Sequence, residues 1–176
     1  MNDNNHQAFL VLYEPIHIHL TRFCRAIAGN VEDAEDLVND TVLNAIESFD
    51  RIRDKSVFKS YVFTIASNLN KKKFRRQKFK TDYNESEINQ LVDLSQNPEY
   101  ITDFKIIYNQ ILALPDKTAE TLILFHISDL SLEEIQEIQG GSLSGVKLRL
   151  KRGREKLIAQ LKSPQQLKVA MLFLNL

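Results

Sequence analysis

The stretch from Ser142 to Leu161, SLSGVKLRLKRGREKLIAQL, constrains this chain most. Val146, Leu150, Gly153, Leu157 and Leu161 recur every three or four residues, the period of a helix that buries one stripe. The rest of that helix is basic: Lys147, Arg149, Lys151, Arg152, Arg154 and Lys156 stand against one acid, Glu155. The natural partner of such a surface is a polyanion.

Immediately before it, Leu130 to Gly141 reads LSLEEIQEIQGG. Ser131 and Glu134 have the spacing of a capping box, and Leu132, Ile135 and Ile138 form a short apolar stripe. A short helix ended by glycine, then a basic amphipathic helix capped by Ser142, is the order of a helix-turn-helix, whose second helix enters the major groove of DNA. A solvated basic helix on an ordinary bundle accounts for the charge, but not for two caps with that turn between them.

With 176 residues, 43% of them hydrophobic, the chain has enough material for one large domain or two small ones. Its net charge is zero, yet the charge is segregated into basic and acidic blocks, so segments inform more than the total. One cysteine, Cys24, cannot form an internal disulfide, and the N-terminus lacks the pattern of a signal peptide, which predicts a reducing cytoplasm. No stretch approaches the ~20 apolar residues of a membrane span, so a soluble protein without membrane insertion is expected.

From Gln7 to Ala28, the residues Phe9, Leu12, Tyr13, Ile16, Leu20, Phe23 and Ile27 follow helical spacing, with Pro15 a kink or junction and Gly29 a stop. His17 and His19, two apart, point to different faces of a helix and have no Cys or His cluster beside them, so packing or surface roles are expected rather than metal binding. Asn30 caps a second helix, Val31 to about Phe49, with Glu32, Asp33, Glu35 and Asp36 near its positive end. Its buried side reads Ala34, Leu37, Val38, Thr41, Val42, Ala45 and Ile46. By position alone, Asp36, Asn39 and Asp40 form either a solvated face or a partner-binding one.

After a polar loop from Asp50 to Ser56, a third helix carries Phe58, Tyr61, Val62, Ile65, Ala66 and Leu69 on one side. It runs into Lys71, Lys72, Lys73, Arg75, Arg76, Lys78 and Lys80, with Phe74 and Phe79 interleaved. That density of like charge repels itself without a counter-polyanion, and phosphate contacts are the economical reading.

Residues 81–97 carry Asp82, Glu85, Glu87 and Asp93 among Asn, Gln and Ser with no long stripe, the character of an acidic flexible linker. Pro98 then opens a helix on Phe104, Ile107, Ile111 and Leu112 that Pro115 closes, and Asp116 caps the next, Lys117 to Ile127. The predicted fold is all-α: two small helical domains, residues 1–80 and 98–163, joined by that linker, the second containing the helix-turn-helix. The tail, residues 164–176, ends in QQLKVAMLFLNL. It is too apolar to stay in water, so it closes onto the second domain as a strand or helix, or docks on another protein.

Two blocks resemble a known family. GNVEDAEDLVNDTVLNAIESF followed by FKSYVFTIASNLNKKKFRR is similar to region 2 of the extracytoplasmic-function sigma factors of bacterial RNA polymerase. ALPDKTAETLILFHISDLSLEEIQEI followed by SGVKLRLKRGREKL is similar to their region 4. The resemblance covers nearly the whole chain, with both blocks in the family's order. It implies a non-enzymatic factor, without cofactor or small-molecule substrate, that binds core RNA polymerase, places it on promoter DNA and helps open the duplex.

By motif, Asp36, Leu37, Asn39 and Asp40 fall on the helix that grips the polymerase clamp. Phe58, Lys59, Tyr61 and Asn68 fall where the family reads the −10 element, and Lys71, Lys72, Arg75 and Arg76 supply a backbone track beside Tyr61. Ser144, Lys147, Arg149, Lys151 and Arg152 match the −35 recognition helix. The family often has an anti-sigma partner.

The chain also departs from the pattern. Asn39 and Asp40 stand where Gln and Glu are common, and Tyr61 where Trp is usual. Gln136 replaces a small Ala, Gly141 an apolar residue, and Gly145 and Leu148 hydroxyl residues. Gly141 cannot staple to Val146, Gly145 costs roughly 1 kcal/mol against Ala, and Leu148 offers a base edge no hydrogen bond. These changes predict poor reading of the −35 element and reliance on a DNA-bound targeting protein. Two rival functions are a stand-alone helix-turn-helix regulator and a polymerase-binding helical adaptor that reads no promoter. A catalytic role finds no phosphate loop, metal cluster or nucleophile paired with a base.

Overall fold

The computed structural model describes residues 3–74 and 101–174, and the chain divides into two compact units, Met1–Asp82 and Tyr83–Leu176. Regular structure among the described residues is all helical. The stretch read as the acidic linker lies outside the described residues, as do Arg75, Arg76, Lys78, Phe79 and Lys80.

In the first unit, helix α1 (Asp3–Tyr13) gives way to a 3-10 turn, Glu14–Ile16, before α2 (His17–Ala28) begins. Pro15 lacks the amide hydrogen that would continue the α-helical ladder, so the apolar periodicity spans two helices rather than one. Helix α2 stops at Gly29, and α3 (Val31–Ser48) starts from the predicted cap, where Asn30 Oδ1 accepts the Asp33 amide at 2.8 Å. Helix α4 (Phe58–Phe74) follows two short 3-10 turns. Helices α2, α3 and α4 pack on one another through Leu20, Phe23, Ala34, Leu37, Ala45, Val62, Phe63 and Ala66, all buried. At one end Phe9, Phe49 and Phe58 meet edge to face, with centroids 5.5–5.6 Å apart, the arrangement aromatic quadrupoles favour.

The second unit contains α5 (Ile101–Leu112), α6 (Asp116–His126), α7 (Leu132–Gln139), α8 (Leu143–Gln160) and α9 (Pro164–Leu174). Asp116 is not the cap that the sequence predicts: it is the first helical residue, the flanking position belongs to Pro115, and no side chain caps that end. The Pro115 carbonyl instead accepts the Thr118 and Ala119 amides at 2.7 and 3.0 Å, while Asp116 sits in the first turn, where the helix dipole favours an acid.

Helices α7 and α8 form the helix-turn-helix. The capping box is present: Ser131 Oγ accepts the Glu134 amide at 3.1 Å and the Ser131 amide donates to Glu134 Oε2 at 2.8 Å. Gly140 and Gly141 turn the chain with φ of 69° and 90°, values that a side chain would strain. Ser142 Oγ then accepts the Gly145 amide at 3.2 Å to start α8.

The tail is helix α9, and it packs on its own unit. Val169, Ala170, Phe173 and Leu174 are buried, with the Phe173 ring 5.3 Å from Phe104 and from His126. Arg154 of α8 donates from Nε to His126 Nε2 at 3.2 Å and from Nη2 to the Leu174 carbonyl at 3.4 Å, tying three helices together. Burial, and secondarily the charge of Arg154, lowers the His126 pKa to about 4.

Burying Phe173 and Leu174 stabilises by about 2 kcal/mol each. Deleting the residues after Ser163 is therefore expected to lower the melting temperature at neutral pH. His126 is neutral in the fold and takes up a proton on unfolding. Its contribution is thus complete above its ordinary value of 6.5 and is lost as pH falls toward about 4. The truncated chain, with His126 opened to water, is expected to lose stability less steeply over that window. Thermal melts from pH 7 to pH 4 measure both effects, and superimposable curves for the two chains would show that α9 contributes nothing.

Candidate nucleic-acid interface

Helix α8 buries Val146, Leu150, Gly153 and Leu157 against its own unit, so helical geometry turns the opposite side outward. Ser144, Lys147, Leu148, Lys151 and Arg152 are all exposed there. Lys151 Nζ reaches Glu155 Oε1 at 3.8 Å, a surface pair that leaves the helix strongly positive. Arg149 stands apart from its neighbours: it is half-buried at the edge of the α6 contact. Arg154, counted among the basic surface from sequence, is drawn inward to His126 and lies over the Phe125 ring at 5.5 Å.

On α4 the basic run begins with Lys71 and Lys72, both exposed. Lys71 Nζ donates to Ser67 Oγ at 2.8 Å. Lys73 turns toward α3, with its Nζ 2.7 Å from Asp33 Oδ1 and 3.9 Å from Asp36 Oδ2. The hydrogen bond from Lys73 holds the Asp33 carboxyl below its usual pKa. Asn70 Nδ2 donates to the Ile27 carbonyl at 3.2 Å, so two polar ties hold this end of α4 against the α2–α3 junction. Lys59 and Tyr61 are half-buried and Asn68 is exposed, while Arg75 and Arg76 lie outside the described residues.

Phe58 requires correction as a base-contacting residue. It is 2% exposed, locked edge to face between Phe9 and Phe49, and no base can reach its ring without dismantling that cluster.

Helix α3 exposes Asp36, Asn39 and Asp40 along one side. Leu37 is corrected in the same way as Phe58: at 4% exposure it belongs to the buried stripe with Ala34, Thr41 and Ala45, and it seats the helix instead of touching a partner. Sequence reasoning missed Leu43, 55% exposed, one turn beyond Asn39 and Asp40. The signal was available, since Leu43 falls out of phase with the stripe on which the other apolar residues of α3 lie. Among the described residues, no cluster of His, Cys, Asp and Glu could hold a metal ion, and no helix is long and apolar enough to cross a membrane.

Residues 12–80 match the sigma-70 region 2 family and residues 104–157 match the sigma-70 region 4 family. The ECF RNA polymerase sigma factor SigW of Bacillus subtilis (strain 168) is 30% identical over 154 residues, covering 80% of this chain and 82% of its own. EcfG of Rhodopseudomonas palustris (strain TIE-1), also an ECF sigma factor, is 28% identical over 142 residues, covering 81% and 78%. Among solved structures, CnrH in complex with the cytosolic domain of CnrY superposes with a TM-score of 0.65 at 21% identity, covering 88% of this chain and 87% of that one. RpoE in complex with the anti-sigma factor NepR, from Bartonella quintana, gives 0.61 at 21% identity, covering 90% and 96%. At that identity the two structures speak for the fold, while the sequence matches speak for the family. The chain belongs to the extracytoplasmic-function sigma factors, non-enzymatic proteins that direct RNA polymerase to promoters.

Proposed function

We propose that three helical surfaces divide the work of initiation. The outward side of α3, with Asp36, Asn39, Asp40 and Leu43, docks on the clamp of core polymerase. On α4, Tyr61, Lys59 and Asn68 support the melted −10 strand while Lys71 and Lys72, continued in sequence by Arg75 and Arg76, hold its phosphates. On α8, Ser144, Lys147, Arg149, Lys151 and Arg152 face the −35 element. The observation that carries this reading is the separation of charge by helix: exposed acids and an amide on α3, exposed cations at the end of α4 and along α8. The complexes of CnrH with the cytosolic domain of CnrY and of the Bartonella RpoE with NepR support an anti-sigma partner for this chain as well.

Asp36→Arg is expected to abolish co-purification with core polymerase, because a cation placed in a contact built for an anion costs several kcal/mol. Retention of the folded variant on core polymerase would sink the clamp assignment.

Replacing Lys71 and Lys72 by Ala is expected to weaken promoter opening and flatten its salt dependence. Tyr61→Ala is expected to impair melting more than closed binding, by about 1–3 kcal/mol for a lost stack. Permanganate footprinting of the open strand reads both, and wild-type opening by Tyr61→Ala would count against the assignment.

Recognition of the −35 element is expected to be weak, with a DNA-bound targeting protein supplying placement through effective concentration. Leu148 supports this: it is 44% exposed on the DNA-facing side, where it offers bases apolar contact and no hydrogen bond. Transcription by the purified factor and core polymerase on a library randomised at −35 is expected to give a flat profile with activity retained. Enrichment of one motif there would refute it.

A further inference from the structure

Helices α6 and α8 enclose a cleft of about 370 Å³ lined by Thr118, Gly145, Leu148, Arg149, Arg152 and Lys156. Three cations line it and, among the described residues, no carboxylate does. Glu155, the acid of α8, is engaged instead with Lys151. Like charges gathered this way raise the local potential and await an anion.

Arg149 is the centre of the arrangement. Its Nε and Nη2 are buried and, among the described residues, reach no acceptor. Donors of a charged group left unmatched in a protein interior are costly, and a partner that brings several acceptor oxygens at once removes that cost. Gly145 shapes the mouth. A Cβ there would stand 3.3 Å from the capping Ser142 Oγ, a tight approach, and 3.7 Å from Arg149 Nη1, an ordinary contact that places the guanidinium beside the first turn of α8. The positive end of the helix dipole adds to the potential at that point.

We propose that this cleft is a phosphate site that takes one backbone phosphate of the promoter duplex, with Arg149 as its floor, Arg152 and Lys156 at its rim and Thr118 on the α6 wall as a hydroxyl donor. The assignment rests on α8 being the helix that faces DNA. It gives Arg149 a grip on the backbone in place of a reading role at a base, and adds Lys156 and Thr118 to the interface. The site also explains how a recognition helix poor in base-reading groups keeps its hold, since phosphate contacts fix position without carrying sequence information.

The test uses holoenzyme assembled from the full chain and core polymerase. Closed-complex affinity is measured between about 50 and 200 mM salt on a promoter that the holoenzyme transcribes, and on the same promoter with its −35 element scrambled. Arg149→Gln and Lys156→Gln are each expected to weaken binding to both duplexes by the same factor. Each is also expected to lower the slope of log affinity against log salt by about 0.9, about a threefold difference across that salt range. Arg149→Lys is expected to restore the slope. Lys156 is exposed, so its variant tests the site even where Arg149→Gln perturbs the fold. An unchanged slope for Lys156→Gln, or a loss confined to the intact −35 element, would overturn the phosphate site while leaving the sigma-factor reading in place. A wild-type holoenzyme that neither binds nor transcribes any promoter would remove that reading and the cleft with it.

Discussion

What the second unit presents to DNA depends on how closely α8 approaches α6. A Cβ at Gly153 would lie 2.9 Å from Thr118 Cγ2, closer than real Cβ atoms come, and a tight 3.1 Å from Leu122 Cδ1, so a side chain at 153 would force these neighbours to shift and the glycine permits the two helices to meet this closely. Val146, Leu150 and Leu157 bury themselves on the same stripe. Once that stripe is seated, the 3.6-residue period leaves no freedom in which residues face outward. The cations of α8 and the cleft beside Arg149 both follow from a contact made by a glycine.

The turn that delivers α8 is held by amides. Gln136 Nε2 donates to the Gly141 carbonyl at 3.1 Å, across the two residues with positive φ. Gln139 Nε2 donates to the Lys117 carbonyl at 3.1 Å and to Glu120 Oε2 at 2.9 Å, while its Oε1 accepts from Thr121 Oγ1 at 3.0 Å. Gln136, a departure from the family's usual small residue, therefore serves the turn that Gly141, another departure, makes sharper. These hydrogen bonds restrain a segment that lacks the apolar staple, and the two departures compensate locally.

In the first unit a single helix is asked to do two things, and burial divides them. Leu37 and Thr41 hold α3 in the bundle while Asp36, Asn39, Asp40 and Leu43 face out. Asp33 belongs to neither group. It caps with Asn30 and pairs with Lys73, so that one cation of the basic run braces α4 against α3 while Lys71 and Lys72 remain at the surface. The exposed lysines of α4 and the acidic side of α3 are thereby positioned by one polar contact, made firmer by the Asn70 bond to the end of α2.

Local chemistry in the sequence determined a great deal. Both caps of the helix-turn-helix, the cap at Asn30, the break at Pro15 and the buried stripe of α8 are consequences of residues within a turn or two of each other, so spacing sufficed to read them. The family was legible for the same reason, since its two blocks are long and ordered. Residues that depend on distant partners were not. Phe58 and Leu37 lie inside motifs to which the family resemblance gives a partner, yet the cluster with Phe9 and Phe49, and the packing of α2 and α4 on α3, bury them. Arg154 reads as surface charge until His126 and the Leu174 carbonyl, 28 and 20 residues away, draw it inward. The apolar tail allowed a strand, a helix or a foreign partner. Tertiary structure chose a helix on its own unit because Phe104 and His126 provide the apolar contacts that Phe173 needs. Periodicity names the face of a helix, and only packing decides what lies against it.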